Sequence, residues 1–111
     1  MGRITAAGVC PDQPFLERNP ANVKRCFEIN SLGTYYSTQL ATAQMVKQPR
    51  LEKAAGAGSI VMIASIAAHQ ASLGQYTSDY CSSKGAVLAL SRQLSVELAR
   101  VGVRVNCLSP G

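Results

Sequence analysis

The chain has a single histidine, His69, and four cysteines, Cys10, Cys26, Cys81 and Cys107, no two of which are closely spaced. A zinc site wants paired ligands a few residues apart, so no metal-binding motif is expected. Buried, reduced thiols suit these cysteines better and point to an intracellular, cytoplasmic compartment. No apolar run approaches the roughly 20 residues that cross a bilayer, and no charged-then-apolar signal opens the chain. Met1-Gly2 could begin an N-myristoylation motif, but the Ser or Thr wanted at position 6 is Ala6. Lys and Arg outnumber Asp and Glu by 11 to 6, for a net charge of +5. These cations are scattered, with no basic run interleaved with aromatics, and a phosphate-binding surface would need them clustered. Arg92, Arg100 and Arg104 read as solvated charges. Neither a nucleic-acid nor a membrane partner is expected.

What is present describes a globular chain: 47% of the residues are hydrophobic and 15% charged. At 111 residues it is one small domain, at the short end of what buries its own core. Repeats and low-complexity segments are absent.

Ile4 to Gly8 reads as a strand end running into a glycine turn, and residues 9–18 as a loop in which Pro11 and Pro14 block regular structure. Asn19-Pro20 predicts a helix start, with Asn as cap and Pro at the first helical position. Apolar residues then recur at helical spacing (Val23, Phe27, Leu32, Tyr35, Leu40, Met45) to about Lys47, before Gln48-Pro49. A polar connection ending in Gly56-Ala57-Gly58 leads to a compact apolar run over 59–64, which predicts a parallel strand buried on both faces. A loop over 65–77 follows. Ser78 is the expected N-cap of a helix through Arg100, with Val87, Leu90, Leu94 and Leu98 on one stripe and Gly102 as its stop. Residues 103–108 predict a last strand, ended by Pro110-Gly111. The order is strand end, helix, strand, helix, strand, which is two consecutive parallel crossovers. In such sheets ligands bind at the carboxyl ends of the strands, here near Ala6–Gly8, Ser65 and Ser109–Gly111.

Tyr80 and Lys84 lie four apart at the start of the second helix and so share a face. A free tyrosine, with a pKa near 10, is a poor acid-base catalyst at neutral pH. A fixed ammonium and a helix N-terminus both favour the phenolate. Ser65, at the preceding strand end, can polarise a carbonyl above the ring. A Tyr-x-x-x-Lys pair alone is a weak signal, also met as a surface tyrosine packed on a lysine stem. Here it opens a helix, follows a buried strand ending in Ser, and precedes Gly85-Ala86, expected to permit close packing.

In this order the segments "SIVMIAS", "YCSSK" and "VRVNCLSPG" over 59–111, with "FEINSLGTYYS" and "TAAG" upstream, resemble the short-chain dehydrogenase/reductase family. The resemblance covers nearly the whole chain. It implies part of a Rossmann-like, doubly wound parallel α/β sheet, and an NAD- or NADP-dependent oxidoreductase interconverting a ketone or aldehyde with an alcohol. It implies a small-molecule carbonyl or alcohol substrate and a homo-oligomer. Carried over residue by residue, Tyr80 is the proton donor and acceptor. Lys84 lowers its pKa and holds the nicotinamide ribose, Ser65 orients the substrate carbonyl, and Asn30 anchors a water relaying protons through Lys84. Thr5, Ala7 and Gly8, in the segment that matches the one after the family's fourth strand, would bind the cofactor together with Tyr80 and Lys84, and Pro110-Gly111 would lie against the nicotinamide. The residues alone also fit Asn30 as a solvated mid-helix amide and Pro110-Gly111 as a plain strand-ending turn.

Departures accompany the match. Thr5 and Ala6 stand where the family has two asparagines, and the spacing from Ser65 to Tyr80 is slightly long, which admits Ser72 as a competitor for the serine role. The glycine-rich turn that cradles a cofactor pyrophosphate has no counterpart, since Gly56-x-Gly58 precedes a strand instead of following one. At about thirty residues per βα unit, roughly ninety residues are expected before Met1, with further elements after Gly111. A truncated, non-catalytic chain that binds intact relatives through its two helices is the alternative reading, and a fragment without function is a third.

Overall fold

The computed structural model describes residues 2–49 and 56–111. Three strands, β1 (Gly2–Thr5), β2 (Gly58–Ile63) and β3 (Val103–Leu108), form one parallel sheet in the order β1-β2-β3. Ile4 is paired with Val61 and Thr5 with Met62; on the other side Ile60 is paired with Val105 and Ile63 with Leu108. Because all three run the same way, their carboxyl ends meet along one edge.

The first crossover is not one helix. Asn19 caps α1 (Pro20–Phe27) by accepting the Ala21 N–H at 2.9 Å, as its sequence predicts. A π turn over Glu28–Leu32, in which the Gly33 N–H reaches back to the Glu28 carbonyl, then intervenes before α2 (Gly33–Lys47). Hydrophobic spacing does not reveal such a turn: one extra residue leaves the apolar stripe nearly intact while rotating the side chains within the turn.

Helix α3 (Ser78–Glu97) begins one residue earlier than expected, with Thr77 at the N-cap and Ser78 as its first residue. It tightens into a 3₁₀ turn over Leu98–Val101, and Gly102, at φ 76°, makes the left-handed stop. The same glycine explains the upstream pair: its carbonyl accepts the N–H groups of Ala57 and Gly58, and a Cβ at Gly56 would stand 2.5 Å from that oxygen. Gly56-Ala57-Gly58 is therefore a close backbone crossing at the start of β2.

Met45 of α2 and Val87 of α3 join Ile60, Met62, Ala64 and Val103 in one core, with Leu90, Leu94 and Leu98 packed around it. Both crossovers thus cover the same sheet face. Val61 and Ile63, whose side chains alternate to the other face, are only half-buried, so the expectation that this strand is buried on both faces holds for one face among the described residues. Gly85 and Ala86 mediate no close packing among the described residues either. A Cβ at Gly85 would meet nothing within 4 Å, and Ala86 is exposed, because the helix presents Ser83, Lys84 and Val87 to the protein instead.

Candidate active site

The strand ends, the loops after β1 and β2, and the first turns of α3 enclose a cavity of about 560 Å³. Ser65, Tyr80, Lys84, Gly8, Pro110 and Gly111 all line it, together with Ser72. Residues 65, 80 and 84 come from two elements and meet because a parallel strand delivers its last residue beside the N-terminus of the helix that follows.

Lys84 is buried, 5% exposed, and its Nζ donates to the Ile63 carbonyl at the end of β2 at 2.8 Å. The same nitrogen lies 5.9 Å from the centre of the Tyr80 ring. Burial pushes the ammonium below its ordinary pKa, and the cysteines Cys107 and Cys26 offset this in part. A surface tyrosine resting on a lysine stem does not describe this pair. An ammonium has three N–H donors; the hydrogen bond to Ile63 uses one.

Ser65, 8% exposed, caps the short 3₁₀ turn Ile66–Ala68 by accepting the Ala67 N–H at 3.2 Å. Its oxygen is thereby fixed and its own hydrogen left for another acceptor. Ser72 stands on the same cavity but on an exposed loop.

Asn30 does not line the cavity. It is fully buried inside the π turn, and its amide forms a two-pronged pair with Val9, accepting the Val9 N–H and donating to the Val9 carbonyl, both at 2.8 Å. Nδ2 also donates to Ser83 Oγ at 2.9 Å, and Ser83 in turn donates to the Tyr80 carbonyl at 2.8 Å. A solvated mid-helix amide is thus excluded. The amide ties the loop after β1 to the first turn of α3, directly behind the cavity. Gly8 marks the closeness of the parts: a Cβ there would lie 3.2 Å from Asn30 Oδ1 and 3.4 Å from Lys84 Nζ.

Thr5 and Ala7 fall outside this cavity, lining a neighbouring depression with Arg3, Ile29 and Thr34. Thr5 Oγ1 is buried and has no hydrogen-bond partner among the described residues. Pro110 accepts the Ile66 N–H at 2.9 Å, and His69 Nε2 lies 3.0 Å from Ser109 Oγ, so the turn ending β3 is held against the loop after β2. Val9, Cys10 and Gln75 also line the cavity; as isolated loop residues they carry no sequence signal. Among the described residues no group of three or more His, Cys, Asp or Glu could hold a metal ion, and no helix is long and apolar enough to cross a membrane.

Parallel strands ending at a cavity lined by Ser, Tyr and Lys define an α/β chain with its candidate chemistry at the sheet's carboxyl edge. The chain belongs to the short-chain dehydrogenase family, whose model matches residues 3–111. It is 34% identical over 108 residues to the L-rhamnose 1-dehydrogenase (NAD(P)(+)) of Sphingomonas sp. strain SKA58, covering 97% of this chain and 39% of that protein. It is likewise 34% identical to the galactitol 2-dehydrogenase (L-tagatose-forming) of Cereibacter sphaeroides, with 97% and 40% covered. A short-chain type dehydrogenase/reductase from Mycobacterium marinum superposes with a TM-score of 0.88 at 33% identity, covering 99% of this chain and 42% of that one. The chain therefore spans about two fifths of the length of these relatives.

Proposed function

We propose that this chain is the catalytic portion of an NAD- or NADP-dependent oxidoreductase that interconverts a ketone or aldehyde with an alcohol. The observation that carries this reading is the convergence of Ser65, Tyr80 and Lys84 on one cavity. The nicotinamide cofactor would supply or accept a hydride at the carbonyl carbon. Everything else falls to the chain's own residues.

In the reducing direction, Tyr80 gives the carbonyl oxygen its proton. The Lys84 ammonium, 5.9 Å from the ring centre, stabilises the negative charge left on the phenol oxygen. Ser65, its oxygen held by the Ala67 N–H, donates its hydroxyl hydrogen to the same carbonyl and sets its angle. Its burial at a strand end favours it over the exposed Ser72 for this role.

The residues fit the nicotinamide end of the cofactor. Lys84 keeps two donors for ribose hydroxyls after its bond to Ile63. Gly8 leaves open a space that a Cβ would fill, and Pro110-Gly111 closes the opposite wall. Thr5 and Ala7, which precede Gly8, line the neighbouring depression and would reach the cofactor only from that side. No described residue forms a glycine-rich cradle for a pyrophosphate. With its amide committed to Val9 and Ser83, Asn30 would hold a relay water only at its backbone carbonyl, which already accepts from Thr34 Oγ1 at 2.9 Å.

Tyr80→Phe deletes only the hydroxyl. It should abolish turnover while leaving cofactor affinity within about twofold, read by steady-state rates and cofactor titration. The assay uses the longest product of the gene and, in parallel, a chimera in which this chain replaces the matching segment of the L-rhamnose 1-dehydrogenase. A Phe variant keeping a tenth of the activity would overturn the assignment of Tyr80, and loss of activity in the unmodified chimera would overturn the reading of the chain as a catalytic portion.

A further inference from the structure

An ion pair lies beneath the first turn of α3, on the side away from Lys84. Arg18 Nη1 and Asp79 Oδ1 stand 2.7 Å apart, with their side chains only 3% and 1% exposed. Asp79 directly precedes Tyr80, and the same Oδ1 accepts the Tyr80 N–H at 2.8 Å. The N-cap residue Thr77 makes no side-chain capping bond, so the Asp79 carboxylate satisfies this otherwise orphaned donor of the turn.

Arg18 belongs to the loop that leads away from β1, far from Tyr80 in sequence. Its second nitrogen, Nη2, donates to the Gln13 carbonyl at 2.6 Å and to the Tyr76 carbonyl. Two further bonds join the same segments: Gln13 N–H to the Tyr76 carbonyl and Tyr76 N–H to Asp12 Oδ1, both 3.0 Å. The loop after β1 is thereby stapled to the residues that enter α3. A buried ion pair is weak support for stability, because desolvation consumes much of its attraction. A geometric role is left: one guanidinium fixes the loop after β1, the Tyr76 backbone and the carboxylate that holds the Tyr80 amide.

We infer that Arg18 is a positioning residue for Tyr80, acting through Asp79. The Tyr80 backbone is held on two sides, by Asp79 at its N–H and by Ser83 at its carbonyl. The Ser83 tie comes from within α3, whereas the Asp79 tie is oriented from outside by Arg18. Without the guanidinium the carboxylate turns towards water, the first turn of α3 loosens, and the phenol loses its fixed distance to Lys84. Misplacement by about 1 Å is enough to cost a large factor in rate. This inference rests on the proposed reading of Tyr80 as proton donor.

The test is made in the two backgrounds named for Tyr80→Phe. Arg18→Met alone strands a buried carboxylate and risks unfolding, so the decisive variant is Arg18→Met/Asp79→Leu, which replaces the pair by apolar groups of similar volume. It should melt like the parent and bind cofactor within about twofold, yet its kcat for carbonyl reduction should fall at least tenfold. Arg18→Lys, which keeps the charge but not the fork, should recover part of that loss. A double variant with parental melting and parental kcat would overturn the inference while leaving Tyr80 in place. If instead Tyr80→Phe retains its rate, the reading of Tyr80 fails, and the role of Arg18 fails with it. Equal loss of kcat and of cofactor affinity would also count against positioning and mark the pair as general scaffolding.

Discussion

Lys84 joins two demands that conflict. Its ammonium must be buried to reach Tyr80 and the end of β2, and burial lowers its pKa from the ordinary 10.5. The native state therefore holds this proton less tightly than the unfolded chain does. Between the lowered native value and 10.5 the unfolded state binds more protons, so stability rises with pH through that interval. Below the native value the whole cost of the buried charge is present. Thermal melts taken from about pH 8 to about pH 10 should accordingly show a rise that is smaller in Lys84→Met, where nothing titrates at this position. On the proposed reading, in which one ammonium serves phenol and ribose, the same variant should lose both turnover and cofactor affinity by more than about tenfold. Identical pH slopes in parent and variant would contradict the burial argument.

At the scale of elements, the site depends on contacts between segments that are individually unremarkable. The π turn between α1 and α2 carries Asn30 inward, and the amide of Asn30 pins Val9, which positions Gly8 against Lys84. Gly8 is needed for space, since no positive φ is recorded there. Gly8→Val would drive a branched side chain towards Asn30 Oδ1 and Lys84 Nζ, both already within 3.4 Å of the first carbon. We expect cofactor affinity and kcat to fall together by about tenfold or more, with Gly8→Ala milder. Cofactor titration beside steady-state rates checks this. A Gly8→Val variant with parental affinity would mean that the loop after β1 can move aside.

At the scale of the molecule, the described residues make two layers: three strands with α2 and α3 on one face, and α1 packed against α3. The other face presents Ile4, 66% exposed, and Leu108, 56% exposed, beside the half-buried Val61 and Ile63. Each outer strand, β1 and β3, also has one edge unpaired among the described residues. An apolar face and open parallel edges favour association between chains. Expressed by themselves, these 111 residues should self-associate, melt without a sharp transition, and bind NAD(H) and NADP(H) negligibly. Size-exclusion chromatography and calorimetry with each cofactor make the check. A monodisperse, cooperatively melting species that binds NADPH at micromolar concentration would refute it.

Element types and their order were legible in the amino-acid sequence because they rest on local rules: Asn19-Pro20 starts a helix, Gly102 ends one, and the apolar run over 59–64 is too short and too β-branched for anything but a strand. The Tyr80–Lys84 pairing was legible for the same reason, four residues on one helix face. Other features required the tertiary structure. No local signal distinguishes a π turn from a helix that runs on, so the burial of Asn30 against Val9 and Ser83 emerged only when two helices and a loop were brought together. The starting residue of α3 shifted by one because Asp79 supplies the carboxylate for its first turn, a tertiary arrangement that Arg18 completes. One covered sheet face instead of two was likewise beyond the pattern of β2, since an apolar run records what a strand can bury and not which neighbours are there to bury it. Propensity acts within a few residues, whereas Arg18 meets Asp79, and Gly8 meets Lys84, only across the folded sheet edge.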